Sequence, residues 1–158
     1  MIELRPLRPA DIGCAESIVA AHDPALAPLL SRDLKAHFGH GDAARSLFLA
    51  AVEADRVVGV MGLQPDTDPD VHDIVWAVWL YVDPAAASRG IGKALMEAII
   101  EAARARGARK LYLDVGNRER HERAIAMYDR RGFVQEGELR DYFAPGEHKL
   151  LYGLRLDR

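Results

Sequence analysis

Nine consecutive residues, Ile74-Val75-Trp76-Ala77-Val78-Trp79-Leu80-Tyr81-Val82, carry no charge and are rich in β-branched and aromatic types. A segment apolar on both faces reads as the central strand of a sheet that is covered on both sides. Pro84 follows it, and a short loop leads through Ser88-Arg89-Gly90-Ile91-Gly92-Lys93 into the next segment. There Ile91, Leu95, Ala98, Ile99, Ala102 and Ala105 fall on one helical face, predicting a helix from Ser88 to Arg106 with Gly107 as its C-cap. A covered strand feeding a helix through a tight loop is the unit of an α/β architecture.

The rest of the chain fits that frame. Residues 2–7 read as a short strand, and Asp11 as the N-cap of a helix to about His22, with Cys14 a small packing residue within it. Pro24 and Pro28 break that helix, and a second one is predicted from Leu29 to Phe38. Leu47 to Val52, Val57 to Leu63, Lys110 to Val115, Phe133 to Leu139 and Lys149 to Leu156 read as further strands, and Arg123 to Arg131 as a helix. The stretch from Pro65 to Asp73, with two prolines and four aspartates, reads as a loop. No linker or repeat interrupts the 158 residues, the size of one mixed α/β domain spanning 1–158.

Charge and cysteine usage narrow the function. Basic residues number 21 against 24 acidic, a net charge of −3, without the basic excess of a nucleic-acid binder. One cysteine excludes an intramolecular disulfide framework and a multi-cysteine zinc site, and fits a reducing, cytoplasmic setting. No run approaches the roughly 18–20 apolar residues that span a bilayer.

The loop after the central strand carries the chemistry. Amide N–H groups at a helix start, unobstructed by side chains at Gly90 and Gly92, form an anion site aided by the helix dipole. Arg89 and Lys93 add positive charge, so a pyrophosphate is the natural guest. A Walker loop is excluded twice, because Ala87 and Ala94 replace the glycine and the hydroxyl residue it needs. A dinucleotide fingerprint lacks its third glycine, since Leu95 stands there. The bland alternative is a helix start that merely needs two small residues.

The loop resembles motif A of the GNAT superfamily of acetyl-CoA-dependent N-acetyltransferases, Gln/Arg-x-x-Gly-x-Gly/Ala after a central strand; Gly90 and Gly92 match, and Ala87 departs from the pattern. Downstream, Tyr128-Asp129-Arg130-Arg131-Gly132-Phe133 with Ala124 is similar to motif B, with His121 where Asn is common and Asn117 four residues earlier. The resemblance implies a splayed mixed sheet of about seven strands with about four helices, and acetyl-CoA wedged where two parallel strands separate. It implies pantetheine pairing with the main chain at Leu80, Tyr81 and Val82, and pyrophosphate on the amides from Ser88 to Lys93. Ala87, Asn117 and His121 complete the cofactor contacts, and Tyr128 protonates the departing thiolate after direct attack by a primary amine. No metal is implied.

The proton acceptor is open: Trp76 stands where some relatives carry a glutamate, Asp73 and His72 lie just before it, and water is the first choice. Arg140 to Gly146 reads as the loop of the last hairpin, where Asp141 and Tyr142, with Trp76 and Asp73, are candidate acceptor-site residues. Asp66 to Asp70 only mimics a calcium loop, because Pro69 and Val71 break the pattern. His37 and His40 lack a third ligand nearby. A non-catalytic acyl-CoA-binding or sensing domain is the rival reading, and a homodimer is left open.

Overall fold

The computed structural model describes residues 1–41 and 44–157. Through them run β1 (Glu3–Pro6), α1 (Ile12–His22), α2 (Ala27–His40), β2 (Leu47–Glu53), β3 (Arg56–Pro65), β4 (Ile74–Val82), α3 (Ile91–Ala105), β5 (Lys110–Val115), α4 (Glu122–Arg130), β6 (Val134–Ala144) and β7 (Glu147–Arg155). The seven strands hydrogen-bond in the order β1-β2-β3-β4-β5-β7-β6, with β4 and β5 parallel. This is the mixed α/β sheet that the sequence predicts, and β4 and β5 have the predicted bounds. By contact the chain forms two compact units, residues 1–65 with 77–102 and residues 66–76 with 103–158. Among the described residues no helix is long and apolar enough to cross a membrane.

In the first unit β1 pairs antiparallel with β2, and β2 with β3, Phe48 lying opposite Gly62. Leu7, Ile18, Val19, Leu30, Leu34, Phe48 and Val60 form one core cluster, with Trp79 and Tyr81 packed against it. Each such side chain contributes about 1.5–3 kcal/mol by leaving water. On β3, Gly59 admits α3: Ile91 Cγ2 and Leu95 Cδ1 lie 3.0 and 3.2 Å from where its Cβ would stand. Ile91, Leu95, Met96 and Ile99 are exposed by 2% or less, which accounts for the helical stripe in the sequence.

Several expectations in this unit need correction. The second helix runs from Ala27 to His40 instead of Leu29 to Phe38. Pro28 sits in its first turn, where a missing N–H costs nothing, and Gly41 at φ 54° ends it. The third helix starts at Ile91 instead of Ser88, because Ser88 (φ 63°) and Gly90 (φ 81°) are left-handed. Asp11 stands at the N-cap of α1 without capping it; its carboxylate accepts the Arg8 N–H at 2.7 Å and pairs with Arg5 at 2.7 Å. Cys14 is exposed, since the buried face of α1 is Ala15, Ile18 and Val19. Trp79 is left-handed in mid-strand (φ 57°), a conformation costing of order 1–3 kcal/mol for a non-glycine residue. Its indole N–H donates to Asp33 Oδ2 at 2.9 Å.

In the second unit the first three residues of β4 run parallel to β5, from Ile74 opposite Lys110 to Trp76 opposite Tyr112. β7 pairs antiparallel with both β5 and β6. Ile125 and Tyr128 are the buried residues of α4. The last two strands are longer than predicted, because Arg140 to Ala144 continue β6 and Ala144 pairs with Glu147 across a two-residue turn at Pro145-Gly146. A strand therefore stands where the sequence suggests a loop.

Candidate functional site

The first unit holds the loop and the strand end that precedes it. Leu80, Tyr81 and Val82 are half-buried at the end of β4. The Asp83 N–H donates to the Val58 carbonyl of β3 at 2.8 Å, so the trans peptide turns the Val82 carbonyl to the opposite side. There His22 Nε2 approaches the Val82 oxygen at 2.7 Å, with its ring 5.4 Å from Tyr81. His22 therefore belongs among the groups at this main-chain edge, and nothing in its own helical spacing announces it.

From Asp83 to Lys93 the backbone is shaped to leave amides open. Asp83 Oδ1 accepts the Ala85 N–H at 2.9 Å and starts a single 3-10 turn from Pro84 to Ala86. The first helical bond of α3 runs from the Ala94 N–H to the Gly90 carbonyl at 3.0 Å. The amides of Ile91, Gly92 and Lys93 lie ahead of that bond, at the positive end of the helix dipole. A Cβ at Gly90 would meet nothing within 4 Å, and one at Gly92 only Val82 Cγ2 at 3.8 Å, so the cradle is open. A pyrophosphate fits that donor set. Ala87, Ser88, Arg89 and Lys93 are exposed beside it. Arg89 is engaged: its guanidinium forms a two-point pair with Glu53, Nη1 to Oε2 at 2.8 Å and Nη2 to Oε1. That hydrogen bonding holds the Glu53 carboxyl below its ordinary value.

The second unit holds the other candidates. Tyr128 is 7% exposed, with its ring 5.8 Å from Phe133 and 6.2 Å from Tyr152. Asn117 and Asp141 are brought together at the β6–β7 hairpin. Asn117 Nδ2 donates to the Gly146 carbonyl at 2.9 Å and its Oδ1 accepts the His148 N–H at 2.6 Å. Asp141 Oδ1 accepts the Gly146 N–H at 2.7 Å, and the Asp141 N–H donates to His148 Nδ1 at 2.9 Å. Tyr142 is exposed on the same hairpin, with Lys149 Nζ 4.4 Å from its ring centre. His121 lies over Gly116, its Nε2 2.8 Å from where a Cβ would stand. Desolvation there, and next the Arg120 charge, lowers its pKa.

Trp76 and Asp73 have partners of their own. The Trp76 indole N–H donates to Asp66 Oδ2 at 2.6 Å, and its ring stacks 5.2 Å from Tyr112. Asp73 accepts from Arg109 Nε at 2.8 Å, a hydrogen bond that holds its carboxyl below the ordinary range. A carboxylate so held is a weak proton acceptor.

Comparison with known proteins places the fold. The model of the Acetyltransferase (GNAT) family matches residues 15–133. Over 94 residues, 59% of this chain, the sequence is 32% identical to human N-acetyltransferase 8, and the matched segment spans 40% of that protein. Among solved structures, a GNAT-family protein from Desulfovibrio desulfuricans superposes with a TM-score of 0.89 at 24% identity, covering 99% of both chains. A phosphinothricin acetyltransferase from Sinorhizobium meliloti, in complex with acetyl-CoA, superposes with a TM-score of 0.81 at 19% identity, covering 98% of this chain and 88% of that one.

Proposed function

Because the chain belongs to the acetyltransferase (GNAT) family, we propose that it is an acetyl-CoA-dependent N-acetyltransferase acting on a primary amine in the cytoplasm. The observation that carries this reading is the open row of amides at Ile91, Gly92 and Lys93 directly after the central strand. Acetyl-CoA supplies the thioester, which an amine attacks directly. The loop amides from Ser88 to Lys93 hold its pyrophosphate, and the main chain of Leu80 to Val82 holds the extended arm.

Two proton movements remain. Tyr128 Oη donates to the departing sulfur, a transfer a phenol can perform. Water takes the proton from the attacking nitrogen, because Trp76 has no basic atom and the Arg109 hydrogen bond makes the Asp73 carboxylate a weaker base. The acceptor is a small-molecule amine, a protein N-terminus or a lysine side chain. One observation favours the rival of a non-catalytic acyl-CoA-binding domain: the Tyr128 ring is packed between Phe133 and Tyr152, as a purely structural aromatic would be.

Incubation of the protein with acetyl-CoA and a panel of primary amines, followed by detection of free coenzyme A thiol, tests the proposal. Amine-dependent release supports it. Binding of acetyl-CoA without release from any amine favours the sensing domain, and absence of binding removes both.

A further inference from the structure

The turn joining β2 to β3 is two residues long, and both are left-handed: Ala54 at φ 48° and Asp55 at φ 63°. Two-residue hairpins normally place glycine, asparagine or aspartate at such positions. Aspartate tolerates the left-handed region, so Ala54 is the residue that holds this geometry only when its surroundings over-determine it. The flanking residues supply that constraint. Glu53 pairs with Arg89 at two points, and Arg56 pairs with Asp83 through Nη2 and Oδ2.

Asp83 is the first residue after β4, and Arg89 is the last before Gly90. One hairpin tip therefore grips the phosphate loop at both ends with pairs of opposite polarity. A one-residue slip of the loop would break both. Between the grips lies Ser88, itself left-handed without glycine's freedom. The Arg89 guanidinium spends one edge on Glu53, so its charge is largely balanced and the cradle acts through its amides.

We infer that the Glu53–Arg56 hairpin tip is a positioning clamp that pre-sets the amides of residues 88–93 for a pyrophosphate. The inference rests on the acetyl-CoA reading above. Neither Glu53 nor Arg56 touches the reacting atoms; both act through the loop. Preorganisation of this kind raises affinity by removing the ordering cost of binding.

The test compares wild type with Glu53→Ala, Glu53→Gln and Arg56→Gln. Calorimetry gives the coenzyme A Kd, steady-state kinetics gives KM and kcat, and NMR gives amide order parameters for residues 88–93 in the free protein. Glu53→Ala and Arg56→Gln are expected to raise Kd and KM about five- to tenfold, leave kcat within about twofold, and lower the loop order parameters. Glu53→Gln keeps an oxygen for Arg89 and recovers most of the loss. A general structural defect would lower Tm and kcat together without that selectivity. Tighter binding by Glu53→Ala would show that Glu53 competes with the anion, and unchanged affinity with unchanged order parameters would show no clamp; either overturns the inference. If wild type itself fails to bind coenzyme A, the acetyl-CoA reading falls, and the order parameters still decide whether the hairpin holds the loop.

Discussion

Ser88, between β4 and α3, and Asp141, in β6, are both left-handed residues without glycine's freedom (φ 63° and 53°). Their surroundings differ in where the backbone hydrogen bonds go. Around Asp141 they are spent inside the hairpin: Asp141, Gly146 and His148 donate their N–H groups to His148, Asp141 and Asn117 side chains, and Asn117 donates to the Gly146 carbonyl. Around Ser88 the loop is tied to the β2–β3 hairpin at Asp83 and Arg89, and the N–H groups of Ala85 to Ala87 are used in the turn before it. The amides of Ile91, Gly92 and Lys93 stay open ahead of the first helical bond. A turn that consumes its own polar groups holds a shape; a turn that leaves them open can hold a ligand. Asn117 holds the hairpin through two of these bonds, and a cofactor contact for it, as the family pattern implies, is a separate expectation.

Gly92→Val should give the largest effect on the open side of that comparison. Gly92 is not left-handed, and a Cβ there meets only Val82 Cγ2 at 3.8 Å, an ordinary van der Waals contact, so the backbone accepts a side chain. Its methyl groups would stand where the phosphate meets the amides. Coenzyme A affinity should fall by about 10²–10³-fold, about 3–4 kcal/mol, as several charge-assisted hydrogen bonds are lost. The melting temperature should hold, whereas Gly90→Val, at φ 81°, should lower it. Near-wild-type affinity in folded Gly92→Val, measured by calorimetry, would remove the loop from the site.

Tyr128→Phe probes whether a packed aromatic also does chemistry. The ring contacts with Phe133 and Tyr152 survive in Phe, so folding and coenzyme A affinity should be kept. A thiolate leaves tolerably unaided, so kcat should drop by about 10²-fold, at most about 3 kcal/mol. Tyr128→Ala should lower Tm as well, because its side chain is buried. Wild-type turnover by Tyr128→Phe, with chemistry limiting, would leave the tyrosine a purely structural residue.

Asn117→Ala attacks the closed side. Two hydrogen bonds to the hairpin backbone disappear, for a loss of about 1–2 kcal/mol, and a Tm lower by roughly 2–8 °C for a chain of this size. Coenzyme A affinity should change less than about twofold. A large loss of affinity with an unchanged Tm would make Asn117 a cofactor contact.

The same contrast explains what could be read from the chain alone. β4 was legible because its apolar run is continuous, β5 because Leu111, Leu113 and Val115 alternate, and α3 because Ile91, Leu95 and Ile99 repeat on one face. The Gly90–Gly92 spacing marked the loop, since open backbone needs small residues. Contacts between distant residues left no local trace: Glu53 and Arg89, His22 and the Val82 carbonyl, Asn117 and the His148 N–H are far apart in sequence. Left-handed Trp79 and Asp141 carry no glycine to announce them, and with Asp141 the end of β6 passed for a loop. Cys14 looked like core because cysteine usually is buried; its neighbours Ala15 and Ile18 take that face instead.

The smallest effect is expected at Asp73, where the pairing side of the comparison meets the open question of the base. Arg109 reaches Asp73 twice, through its guanidinium at 2.8 Å and through its backbone N–H to the Asp73 carbonyl at 2.8 Å. The guanidinium hydrogen bond lowers the carboxyl pKa, so the group is ionised well before neutral pH is reached. A depressed folded value means that its stabilisation is present above the unfolded value of about 4 and is lost as pH falls through the folded one. Both side chains are half exposed, so solvent screens the pair and the contribution is small. Asp73→Asn should leave kcat/KM within about twofold and the pH–rate profile unmoved between about pH 6 and 9, because no proton is exchanged there. Its Tm should sit slightly below wild type at pH 7 and converge with it as the medium is acidified below the unfolded value and the wild-type carboxylate becomes protonated. A fall in turnover of about 10²-fold, together with loss of the acid limb of the profile, would instead make Asp73 the base and displace water from that role.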